Sequence, residues 1–137
     1  MQGSRPRVRD SGLQLVLPAH RVGRTTARDK GEPTVPSALA LEKIVHAKGE
    51  TVGLLAGDLN SQLSGQVLPI FLRSWTNSNG LKPLPTVPVK EPKRQIDFVL
   101  YRPQQRWRLK SVKVLEEQVA SDHRAILSVL ELLPASR

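Results

Sequence analysis

Three apolar runs of strand length, each carrying an acidic residue at or just inside one end, most constrain what this chain can fold into. Gly57-Asp58-Leu59-Asn60 closes the run 51–56, Gln95-Ile96-Asp97-Phe98 opens the run 95–101, and Ser121-Asp122-His123 stands before the run 124–133. A carboxylate beside a buried strand needs a cation or a hydrogen-bond donor, because taking it out of water costs several kcal/mol otherwise. Three such places in one small chain point to a sheet whose rigid strands gather small polar side chains around one ligand.

The 137 residues are enough for one domain, and a globule of that size buries about two-thirds of the surface its unfolded chain exposes. Nine glycines and eleven prolines dilute the regular structure. The chain has no cysteine, which excludes disulfides, thiolate metal sites and cysteine nucleophiles. Its formal charge of +9 favours polyanionic partners through long-range attraction. No run reaches the roughly 18 apolar residues that span a bilayer. The short apolar stretch 13–19 lacks a small-residue cleavage site, so a cytoplasmic location is the default expectation.

Residues 1–36 hold seven Lys or Arg and only three acids, with several glycines and prolines, and read as an irregular basic arm. A domain is expected over 37–137. Ser37 can cap a helix in which Leu39, Leu41, Ile44 and Val45 form the apolar face, and Lys48-Gly49 can end it. The run 51–56 predicts a buried strand, and 64–75 a second helix with Pro69 in its first turn or at a kink. From 77 to 92, Asn, Gly and four prolines predict a surface loop of the kind that borders a binding site. Strands are expected at 95–101, 107–114 and 124–133, the last with little room for solvent on either face.

Asp58 and Asn60 stand two apart, so an extended backbone would aim both into one pocket, whereas a turn would bend them onto their own main chain. Asp97 interrupts an otherwise apolar strand. A histidine would satisfy it if the strand is interior, and water, Arg94 or Arg102 if the strand lies at an edge. Asp122 and His123 stand where a loop can turn both into a shared cavity. Carboxylates, an amide and an imidazole gathered in this way can activate water and bind a phosphate.

The three motifs in this order, with Thr86-Val87-Pro88 between the first and second, resemble the C-terminal half of the endonuclease/exonuclease/phosphatase superfamily over about 37–133. The resemblance implies an α+β fold, part of a four-layer αββα sandwich of mostly antiparallel sheets flanked by helices. It also implies hydrolysis of a phosphate ester, in DNA, RNA or a small molecule, with Mg2+ or Mn2+. By analogy Asp58 would activate or steer water, Asn60 would hold that water or a phosphate oxygen, and Asp97 would orient His123. His123 would contact the scissile phosphate, and Asp122 would lie near the metal.

The pattern's front half is missing, since no Asn precedes Asn60 and neither Glu32, Glu42 nor Glu50 stands in the strand context of the family's metal-binding glutamate. His20 could be a degraded counterpart of the family's early histidine. The half-domain is therefore expected to be incomplete at its N-terminus, a truncated piece, active or inactive, with a partner chain covering its exposed sheet face. A non-catalytic alternative is a basic nucleic-acid-binding fragment, in which Arg102, Arg106, Arg108, Lys110 and Lys113 surround Trp107 to hold a phosphate backbone and stack one base.

Overall fold

A computed structural model of the chain describes residues 13–16 and 35–135. Within the basic arm, Leu13–Val16 forms strand β1, parallel to β2 (Gly53–Asp58), so four of its residues are regular where an irregular arm was expected. His20 and the rest of that arm up to residue 34 lie outside the described residues, while Val35 and Pro36 already belong to the first helix, which puts Ser37, the expected cap, inside that helix.

Helix α1 spans Val35–Ala47. Pro36 suits its first turn, where a missing N–H costs nothing. It ends as expected at Gly49, whose φ of +72° closes the helix while the N–H groups of Lys48 and Gly49 bond the carbonyls of Val45 and His46. The buried face matches the expected one at Val45 and in part at Leu41, and departs from it at Leu39 and Ile44. Ala38, Glu42 and Val45 point inward and Leu41 is half-buried, whereas Leu39 and Ile44 are 50% and 55% exposed. Glu42 explains the departure, because its carboxylate accepts the Trp75 indole N–H and the Ser74 hydroxyl, each at 2.6 Å.

The second helix shrinks to one turn, α2 (Leu68–Phe71), with Pro69 at its start. Val67, Leu68, Ile70, Phe71 and Trp75 are buried, but Leu72 is exposed. Strand β3 (Thr76–Asn77) pairs antiparallel with β4 (Asp97–Arg102), which pairs antiparallel with β2, giving the sheet order β1-β2-β4-β3. Asp97 therefore stands on an interior strand.

Between β3 and β4 the chain is no simple surface loop. Asn77, Ser78, Asn79, Thr86, Val87 and Gln95 are buried. Amide side chains here substitute for the ladder bonds that proline and glycine deny the backbone. Asn79 and Gln95 exchange two hydrogen bonds of 3.1 Å, Gln95 Oε1 accepts the Leu84 N–H at 2.8 Å, and Asn77 donates to Gly80 O at 2.7 Å.

Strand alternation sorts the sheet's two faces. Leu55, Phe98 and Leu100 face α1 and α2 in one apolar core with Leu59, Val67, Phe71 and Trp75, where each large side chain contributes about 1.5–3 kcal/mol by burial. Asp97, Val99 and Tyr101 fall on the opposite face. A second, two-stranded antiparallel sheet meets the molecule on that side, made of β5 (Trp107–Val114) and β6 (Ile126–Leu132). Trp107 packs edge-on against Tyr101 with ring centroids 6.5 Å apart, and Ser128 bonds Ser78 at 2.9 Å. Helices thus pack on one face of a mostly antiparallel sheet and a second sheet on the other, an α+β arrangement.

Both strands of the second sheet occur where the sequence predicts them. Solvent reaches β6 more than its composition implied, for Leu127 and Val129 are 41% and 45% exposed. No helix among the described residues is long and apolar enough to cross a membrane.

Candidate functional site

The register of β2 against β4 sets Asp58 directly opposite Asp97. Residues directly opposite in an antiparallel pair point to the same face, and like charges there repel. His123 reaches that face from the segment before β6, with Nδ1 2.9 Å from Asp97 Oδ2. Asp58, Asp97 and His123 can each offer one ligand atom such that all lie within 4.8 Å of one another. The side chains of Asp97 and His123 keep 19% and 26% exposure, enough for a ligand to reach them.

The Asp97 carboxylate has a second donor. Thr86 Oγ1 lies 2.6 Å from the same Oδ2. Because a carboxylate oxygen only accepts, the His123 nitrogen facing it carries the proton, which leaves Nε2 for a substrate. Asp97 thus has the histidine that its apolar strand called for.

Burial is the main cause that raises the pKa of Asp58 above 3.8, its ordinary value. The Asn60 N–H, 2.7 Å from Asp58 Oδ1, opposes the rise, the charge of Asp97 adds to it, His123 opposes it, and Asp122 adds slightly. The two facing carboxylates are hard oxygen donors that could hold a divalent cation, whose charge would relieve their repulsion.

Asn60 follows the turn alternative. Its φ of +49° ends the extended backbone that would have aimed it alongside Asp58, and its exposed side chain makes no hydrogen bond among the described residues. Asp122 is exposed too and stands outside the group of three. Its carbonyl accepts the Val89 N–H at 3.0 Å, so the structure gives it a backbone role in holding the loop.

No protein-family model and no curated protein matches the sequence. Solved structures do match. A mannosyl-6-phosphatase of Bacteroides thetaiotaomicron VPI-5482 superposes with a TM-score of 0.62 at 18% identity, covering 72% of this chain and 46% of its own. An endonuclease/exonuclease/phosphatase family protein of Bacteroides thetaiotaomicron gives 0.61 at 18% identity, with 74% of this chain and 45% of that one covered. A protein described by the same three words from Bacteroides vulgatus gives 0.57 at 22% identity, with coverages of 72% and 44%. The chain has the endonuclease/exonuclease/phosphatase fold. It spans less than half the length of these solved structures.

Within the endonuclease/exonuclease/phosphatase fold, the expected basic face around Trp107 comes apart. Arg102 is buried, its guanidinium 5.6 Å over the Trp75 ring and donating to Gly49 O at 3.1 Å. Trp107 spends its indole N–H on Arg102 O at 2.9 Å and packs on Tyr101, so it is a half-buried packing residue. Arg106 bonds Leu133 O. Arg108 and Lys110 are exposed, but both pair with Glu131, at 3.1 and 2.8 Å. Of these five cations only Lys113 is exposed with no acidic partner among the described residues, the state that a backbone-binding cation needs. Thr86 is the residue that the sequence did not single out for chemistry. Its signal was present in Thr86-Val87-Pro88, but a hydroxyl before a proline reads equally as loop.

Proposed function

We propose that the cluster of Asp58, Asp97 and His123 serves divalent-metal-assisted hydrolysis of phosphate esters. The observation that carries this reading is the Asp97–His123 hydrogen bond of 2.9 Å, placed opposite Asp58 on one sheet face. In the reaction, water attacks phosphorus, a P–O bond forms, the P–O bond to the leaving oxygen breaks, one water proton passes to a base, and the leaving alkoxide takes up a proton from solvent to become the alcohol. Asp58 is the base, since a carboxyl raised above its ordinary range is a stronger base than a solvated one. Asn60 serves the site through its backbone N–H, which holds Asp58 Oδ1 at 2.7 Å. His123, oriented by Asp97, offers Nε2 to the phosphate and offsets the charge that gathers on its oxygens. Asp97 would hold the cation through the oxygen that Thr86 and His123 do not occupy, with Asp58 and Asp122 close by. The chemistry such a cation supplies when bound is withdrawal of charge from the phosphate oxygens. The substrate class is a phosphodiester, as in nucleic acid, which the net charge of +9 would attract.

The test is turnover of bis(p-nitrophenyl) phosphate and of plasmid DNA by the purified chain with Mg2+ or Mn2+. His123→Ala is expected to lower kcat by about 10²- to 10⁴-fold while the protein stays folded, and EDTA to abolish turnover. Turnover that survives either change overturns the proposal, as does its absence from a folded wild-type sample.

A further inference from the structure

Thr86 has no side-chain exposure to spare and no polar group to spare. It is wholly buried at 0% exposure, its N–H donates to Arg94 O at 2.8 Å, its carbonyl accepts the Arg124 N–H at 2.9 Å, and Oγ1 donates to Asp97 Oδ2 at 2.6 Å. Fixed at both main-chain groups, the residue cannot swing its hydroxyl to solvent. We infer that Thr86 is a positioning residue of the candidate site, whose hydroxyl pins Asp97 Oδ2 as the acceptor for His123. This inference rests on the hydrolase reading above.

Two donors converging on Oδ2 set the rotation of the Asp97 carboxylate, which one donor alone would leave open, since a carboxylate has two equivalent oxygens. With Oδ2 held by Thr86 and His123, Oδ1 is the oxygen that no described donor occupies, and it is the one left for a cation. Gln95 steadies the same residue from behind, its Nε2 donating to Asp97 O at 3.1 Å. The main-chain bond from Arg124 to Thr86 also ties the segment bearing His123 to the residue that orients its partner, so one hydroxyl sets both the carboxylate and the ring.

Thr86→Val keeps the shape and removes only the hydroxyl, and Thr86→Ser keeps the hydroxyl and removes only a methyl. In the full chain with Mn2+ and bis(p-nitrophenyl) phosphate, Thr86→Val is expected to lower kcat by about 10- to 100-fold with KM little changed, and Thr86→Ser to restore most of it. A second readout needs no turnover. The slowly exchanging Nδ1 proton of His123, seen by NMR in the metal-free protein, is expected in the wild type and Thr86→Ser and lost from Thr86→Val. Should Thr86→Val fail to fold, Thr86→Ala carries the same comparison. Wild-type kcat in the variant lacking the hydroxyl overturns the inference, as does a serine variant no better than it, or an unchanged Nδ1 resonance. If the wild type itself lacks turnover, the hydrolase reading fails, and the resonance alone decides whether Thr86 orients the pair.

Discussion

Asp58 and Asp97 face each other across two antiparallel strands, and the fold holds the first of them in a place that disfavours its charge. The unfolded chain releases the Asp58 proton near 3.8, whereas the native state keeps it to higher pH, chiefly because of burial. Over that window the native state binds more protons, so this residue makes stability fall as pH rises from 3.8 through the raised native value. Asp58→Asn keeps an oxygen for the Asn60 N–H and removes the charge. Its urea midpoint is expected to match the wild type at the acid end and to exceed it increasingly as pH rises towards neutrality; parallel profiles would show that Asp58 is not the source. At this scale Asp97 was the most legible residue, because an acid inside an apolar strand announces a need for a partner. Asn60 was less so, since the same two-residue spacing serves an extended strand and a turn, and only its φ of +49° separates them.

Helix α1 shows how an element can be legible in position and only in part in orientation. Its end at Gly49 is local chemistry, a residue free to adopt positive φ. Its buried face depends on Glu42 meeting Trp75 and Ser74, more than thirty residues away in sequence. Glu42→Ala is expected to cost about 3 kcal/mol in urea unfolding, because it strands the buried indole N–H and leaves the Ser74 hydroxyl without its partner. Leu39→Lys is expected to change stability by less than about 0.5 kcal/mol, as befits an exposed position. The apolar spacing read from the sequence would have put the larger loss at Leu39, so the pair of variants separates the two orientations. The same non-local logic shortened the second helix, where Trp75 serves the core from outside the single turn that forms.

The molecule as a whole is held together across its two sheets by a few specific links: the Ser78–Ser128 bond, the Tyr101–Trp107 contact and the lacing of 86–90 onto 122–124. Arg124 is central to the last, donating to Val89 O at 2.7 Å and Lys90 O at 3.2 Å. Arg124→Ala is expected to speed hydrogen exchange at Val89, whose N–H bonds Asp122 O, while leaving Leu100 in the core strand unchanged. Equal protection at Val89 in both proteins would show that the lacing does not depend on the guanidinium. From the sequence by itself came the places of β5 and β6, the end of α1 and the demand of Asp97 for a donor, all of which depend on residues close together in the chain. Only the tertiary structure decided that Asp58 opposes Asp97, that Thr86 shares the Asp97 oxygen with His123, and that Arg102 turns inward over Trp75 instead of outward to a phosphate. Strand register and partner choice are set by packing between distant segments, and a local pattern of apolar and polar residues carries no record of which distant strand will stand opposite.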